Sequence, residues 1–147
     1  MTRRTLVPVA AFGILAAALG LPADAAPKPI TKTYSVNVLP FPNAQWGVAC
    51  QEKSPIPSDH HEAFKAPAAG TLKVVISGFQ GDFDGAIVDP KGKYLAASDN
   101  AAATPNTSPG VKETITYKIK KPQEVVIRVC NFAATPNASV TYTFTFK

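Results

Sequence analysis

Residues 64–98 read FKAPAAGTLKVVISGFQGDFDGAIVDPKGKYLAAS, and their periodicity decides the fold class. Leu72, Val74 and Ile76 alternate with Thr71, Lys73 and Val75, the two-residue period of a strand with one buried face. That pattern predicts a strand over 71–78. Gly85-Ala86-Ile87-Val88 is a short apolar run suited to a central strand over 85–89, and a third strand is expected over 94–98. The stretch from Gly81 through Asp82, Phe83 and Asp84 to Gly85 is too rich in Gly and Asp to continue a ladder, so it reads as a connection. Asp89-Pro90-Lys91-Gly92 has the composition of a type I or II turn: Pro sets φ at the second position and Gly tolerates a positive value.

The same pattern extends outward in both directions. Over 33–39, Tyr34, Val36 and Val38 share one face, and Pro40-Phe41-Pro42-Asn43 ends the run. Residues 46–50 are a short apolar piece. Residues 51–61 are polar with two prolines and read as loop, and 62–65 read as a short strand carrying Phe64 inward. Residues 99–110 form a long loop of small residues. Ile115, Tyr117 and Ile119 then alternate with Thr114, Thr116 and Lys118, and Val125, Ile127 and Val129 alternate with Val126, Arg128 and Cys130. Residues 131–137 read as another loop. Val140, Tyr142, Phe144 and Phe146 alternate with Ser139, Thr141, Thr143 and Thr145 without exception. No apolar stripe at helical spacing appears beyond the N-terminal segment. The expected fold is all-β, an antiparallel two-sheet sandwich of about eight strands. Its expected core is Phe64, Leu72, Val74, Ile76, Ile87, Val88, Ile115, Tyr117, Ile127, Val129, Tyr142 and Phe144.

The N-terminus reads as a targeting signal. Arg3 and Arg4 precede an apolar stretch over 6–21, and Ala23-Asp24-Ala25 is a small-x-small cleavage site. Its roughly 16 apolar residues are short of the ~20 needed to span a bilayer. The reading is a signal peptide over 1–25, a single domain over 26–147 and an extended tail over 26–32. Residues 2–7 also loosely fit a twin-arginine signal, so two export routes stay open. Cleavage lowers the formal net charge from +5 to +4. The destination is secreted, periplasmic or cell-envelope.

Cys50 and Cys130 are the only cysteines, an even count in an exported chain, and are expected to form a disulfide. The chemistry of the remaining residues argues against an enzyme. His60 and His61 are the only histidines. Ser58-Asp59-His60 holds triad residue types, but a triad is assembled across a fold rather than from sequence neighbours. Blue copper fails because the only methionine is Met1 and no histidine follows Cys130. No phosphate loop is present. Calcium is the one cofactor with a candidate ligand set, Asp82, Asp84 and Asp89, because oxygen-rich loops take that ion. The competing reading is that these aspartates cap turns. Lys118, Lys120 and Lys121 read first as a lysine-bearing strand end that discourages edge pairing. A patch for an anionic polymer is the competing reading. Asn106-Thr107-Ser108 and Asn137-Ala138-Ser139 are glycosylation sequons in expected loops.

Several of these motifs, in order, resemble the pre-peptidase C-terminal (PPC) domains of bacteria. Phe64 to Val74 is similar to their F-x-x-P-x-x-G-x-L-x-V opening. Gly81-Asp82-Phe83-Asp84 resembles their G-D-x-D turn, Asp89-Pro90-Lys91-Gly92 their D-P-x-G hairpin, and Ser98-Asp99-Asn100 their S-D-N. The resemblance covers roughly 62–146. It implies a jelly-roll-like sandwich and an accessory or binding role. Gly85 departs from it, standing where the family commonly has a larger apolar residue, and the cysteine pair is not a general family feature. The expected function is an exported, stand-alone, non-catalytic binding module for an extracellular polymer or protein, without nucleic-acid or membrane partners. The alternatives are a structural or protective envelope protein, or a partner in trans of a secreted peptidase.

Overall fold

The computed structural model describes residues 26–40, 50, 59–98 and 111–147. Eight strands run in order: β1 (Ile30–Asn37), β2 (Asp59–Ala66), β3 (Gly70–Ser77), β4 (Gly81–Val88), β5 (Tyr94–Ser98), β6 (Glu113–Ile119), β7 (Gln123–Ala134) and β8 (Asn137–Phe146). They form two four-stranded antiparallel sheets, ordered β1-β8-β3-β6 and β2-β7-β4-β5. The expected all-β two-sheet sandwich is the observed one.

The order has a simple origin. β4 pairs with β5, β3 with β6, β2 with β7 and β1 with β8, so the chain doubles back once and the doubled ribbon rolls up. Two further pairings, β3 with β8 and β4 with β7, close the sheets. This is the jelly-roll wind. The turn at its midpoint is the one read from Asp89-Pro90-Lys91-Gly92. Asp89 Oδ1 accepts hydrogen bonds from the Lys91 and Lys93 amides, both at 2.8 Å, and Gly92 sits at φ 80°.

The inward faces of the two sheets meet in one core. Leu72, Val74, Ile76, Phe83, Ile115, Ile127, Val129, Val140 and Phe144 are essentially inaccessible to solvent. Phe64 packs between Tyr142 and Phe144, with ring centroids 5.2 and 5.5 Å away. Gly85 faces inward in β4, and a Cβ there would lie 2.7 Å from Ile115 Cδ1 and 2.8 Å from Ile76 Cδ1. The isoleucines opposite therefore occupy the volume that a larger residue would take at this position. Of the expected core, Tyr117 is only half-buried, and Val88 is buried on the other face of its sheet with Cys50, Ala86 and Cys130.

Four local expectations are corrected. Gly81 to Asp84 is the first half of β4, because Phe83 continues the inward alternation and the segment pairs with β7 across a bulge between Asp82 and Phe83. Asp59 to His61 begins β2, paired with Cys130 to Arg128. The segment 131–134 continues β7, so the second sequon asparagine, Asn137, opens β8 instead of lying in a loop. Ile30 to Lys32 belong to β1, where they pair with Phe144 to Tyr142, which shortens the expected tail. The expected signal segment 1–25, the readings at 41–49 and 51–58, and the expected loop with its sequon at 99–110 lie outside the described residues.

Candidate functional site

The sheet built from β2, β7, β4 and β5 carries the chemistry-bearing residues on its outward face. Alternation along β7 turns Arg128 and Cys130 outward, while Val125, Ile127 and Val129 face the core. Cys130 is joined to Cys50, with the Cα atoms 5.6 Å apart and a sequence separation of 80. Both cysteines are buried, and they pack with Ala86 and Val88 into a second, smaller apolar cluster. Closing a loop of this length is worth about 4–5 kcal/mol in the chain-entropy model. The expected disulfide is present.

Beside it, Arg128 Nη2 donates to Asp59 Oδ2 at 2.6 Å. Both side chains are almost completely buried, at 4% and 5% exposure. His61 Nε2 reaches the same Asp59 oxygen at 2.9 Å from a more exposed position. Asp59 thus engages Arg128 and His61. The neighbouring His60 lies against Tyr34 instead, ring centroids 5.6 Å apart, and Ser58 lies outside the described residues. An open groove of about 260 Å³ adjoins this cluster, lined among others by His61, Arg128, Asp89 and Lys91.

The three candidate calcium ligands do not converge. Asp82 and Asp84 share one face of β4 near its start, and Asp89 follows its end. At about 3.3 Å per residue, Asp84 and Asp89 are separated by ~16 Å of strand. Asp89 is occupied in capping the central turn. Among the described residues, no group of three or more His, Cys, Asp or Glu side chains is placed to hold a metal ion.

Sequence reasoning missed three buried polar residues, Arg128, Asn131 and Glu113. Asn131 ties the end of the roll together: its Nδ2 donates to the carbonyls of Val38 and Ala134, and its Oδ1 accepts from the Ala134 amide. Its only sequence signal was an asparagine closing a strongly apolar run. Arg128 signalled itself as the single arginine after residue 25.

A second groove, of about 410 Å³, lies where β6 and β8 end and β3 begins. Gly70 pairs with Phe146 on one side and Ile119 on the other. Carrying the register one residue further sets Lys147 and Lys120 on either side of Ala69, and the Lys147 amide donates to the Ala69 carbonyl at 3.2 Å. Lys118 stands opposite Thr71 on β6, an edge strand of its sheet, as the edge reading of that lysine run expects.

No protein-family model and no curated protein matches the chain. Two solved structures of infectious bursal disease virus are similar to it, the VP2 subviral particle at 9% identity and the Gx strain at 10%. Both have a TM-score of 0.36, and the matches cover 95% and 94% of this chain. The chain spans 37% of the length of each of them, a likeness too slight to bear on function.

Proposed function

We propose that the chain works as an exported, non-catalytic binding module that holds an extracellular polymer or protein. The observation that carries this reading is the form of the accessible charged surface. Charged side chains line two open grooves on a rigid, disulfide-locked frame, and both grooves lie on strand ends and tight turns. Open grooves on a stiff scaffold suit the capture of an extended ligand. A buried disulfide fits an oxidising compartment. The resemblance to PPC domains supports an accessory role of this kind.

The test is retention of the exported protein on cell-wall material, insoluble polysaccharides and immobilised matrix proteins. Saturable retention on one of these, surviving washes at physiological salt, is the expected result. Failure on all of them would leave a structural envelope role in its place. N-terminal sequencing of the exported product is expected to begin at Ala26.

A further inference from the structure

We infer that the trough between Lys120 and Lys147 docks a linear, phosphate-bearing polymer of the cell envelope. This deepens the binding-module reading and rests on it. The trough is assembled from three parts of the chain that meet only in the fold. One wall is Lys118 and Lys120 at the end of β6, the other is Lys147 following β8, and Ala69, Gly70 and Thr71 form the floor. Among the described residues, the side chains lining it include three lysines and no carboxylate.

The floor carries only small side chains. Gly70 turns toward the core, where a Cβ would lie 2.5 Å from the buried Phe144 Cζ, so the outward side chains of the floor are those of Ala69 and Thr71. Ala69 adds one methyl group and Thr71 a hydroxyl. Two inter-strand spacings separate the walls, about 10 Å between backbones. That width admits a single extended chain between the two rows of ammonium groups and is too narrow for a bulky folded partner.

The charge of the trough calls for an anionic ligand. Lysine presents a compact point charge with rotatable donors, which binds phosphate without the fixed fork that arginine offers to carboxylate and phosphate alike. Every cationic side chain in the trough is lysine. Phosphates spaced along a flexible backbone can meet Lys118 and Lys120, which lie two residues and about 7 Å apart on one wall, and Lys147 on the other. The net positive charge of the whole chain adds long-range attraction for such a polymer.

The probe is fluorescently labelled inorganic polyphosphate, with polyglutamate and neutral dextran as comparison polymers, and the readout is anisotropy at several salt concentrations. Saturable binding of polyphosphate is expected, at least several-fold tighter than polyglutamate, with none to dextran. The double variant Lys120→Gln/Lys147→Gln is expected to lose about tenfold or more in affinity. Its log–log salt dependence should fall by roughly 0.7 for each lost contact, as for single-stranded polyanions. Lys28→Gln/Lys112→Gln removes the same charge from exposed positions elsewhere and is expected to change affinity less than twofold. Ala69→Glu, which sets a carboxylate on the floor, is expected to abolish binding with an unchanged melting temperature.

Equal losses in the two double variants would reduce the effect to net charge and overturn the assignment. Equal affinity for polyglutamate would overturn the phosphate class. Retention on envelope material that is indifferent to Lys120→Gln/Lys147→Gln would preserve the binding-module reading and overturn the trough as its site.

Discussion

Asp59 and Arg128 sit on adjacent strands but not opposite one another: Asp59 pairs with Cys130 and Arg128 with His61, and their side chains cross the diagonal to meet at 2.6 Å. The ion pair is therefore laid over the same strand that carries the disulfide, and both partners are withdrawn from solvent. Truncating one partner of such a pair leaves the other charge buried. Asp59→Ala is expected to cost about 3 kcal/mol, and Asp59→Ala with Arg128→Met to recover much of that loss. Urea melts of the two variants test it, and a double variant as unstable as the single one would show that the guanidinium is held by its other surroundings.

The core and the outward face of β8 differ by one residue. Phe144 is fully buried against Phe64, while Thr143 faces outward and shares a hydroxyl contact with Thr31 at 3.2 Å. Phe144→Ala is expected to cost about 3–5 kcal/mol. Thr143→Ala is expected to cost less than about 1 kcal/mol. Denaturant midpoints give the comparison, and similar losses at the two positions would contradict the one-sided burial of β8.

Burial holds the Tyr34 phenol well above the ordinary tyrosine range, and the charges of Glu62 and Tyr142 push the same way. In the unfolded chain a tyrosine ionises at about pH 10. Above that pH the unfolded state binds fewer protons than the native state, so stability falls as pH rises toward the native value and is unaffected below it. The hydroxyl is also buried without a hydrogen-bond partner among the described residues. Tyr34→Phe is therefore expected to gain about 1 kcal/mol at neutral pH and to flatten the alkaline limb. Parallel stability–pH curves for the two proteins above pH 10 would sink the idea.

Asp89 holds two amides of the central turn through one carboxylate oxygen. Asp89→Ala is expected to cost about 1–2 kcal/mol, by the same amount in calcium and in chelator. Thermal melts of both proteins under the two conditions check this. A loss confined to the calcium-loaded sample would assign Asp89 to a metal after all.

Much of this architecture could be read locally. The unbroken alternation of 139–146 gave β8, and the Asp-Pro-Lys-Gly turn located the midpoint of the roll. The reading failed where composition and periodicity disagreed. Asp82 and Asp84 looked like turn residues, yet Phe83 between them had to be buried, and the outward face of β4 accepts carboxylates. The candidate sites were less legible, because each joins residues far apart in sequence. Arg128 finds Asp59 across 69 residues. Lys120 and Lys147 face each other only because β3 lies between β6 and β8. Periodicity assigns a residue to a face, but the neighbour on that face is set by strand order.

The nested pairing also fixes when the molecule can be finished. Thr31 meets Thr143 across 112 residues, so the first strand to emerge in synthesis is the one that must wait for the last. The innermost hairpin, β4 with β5, can close early, and each outer pair needs a longer stretch of chain already made. Contacts so distant in sequence make assembly slow. A nascent chain therefore leaves both edges of β3 unpaired until β6 and β8, both made after it, have followed. Loss of residues 138–147 removes β8 from between β1 and β3, and leaves β1 with no partner among the described strands.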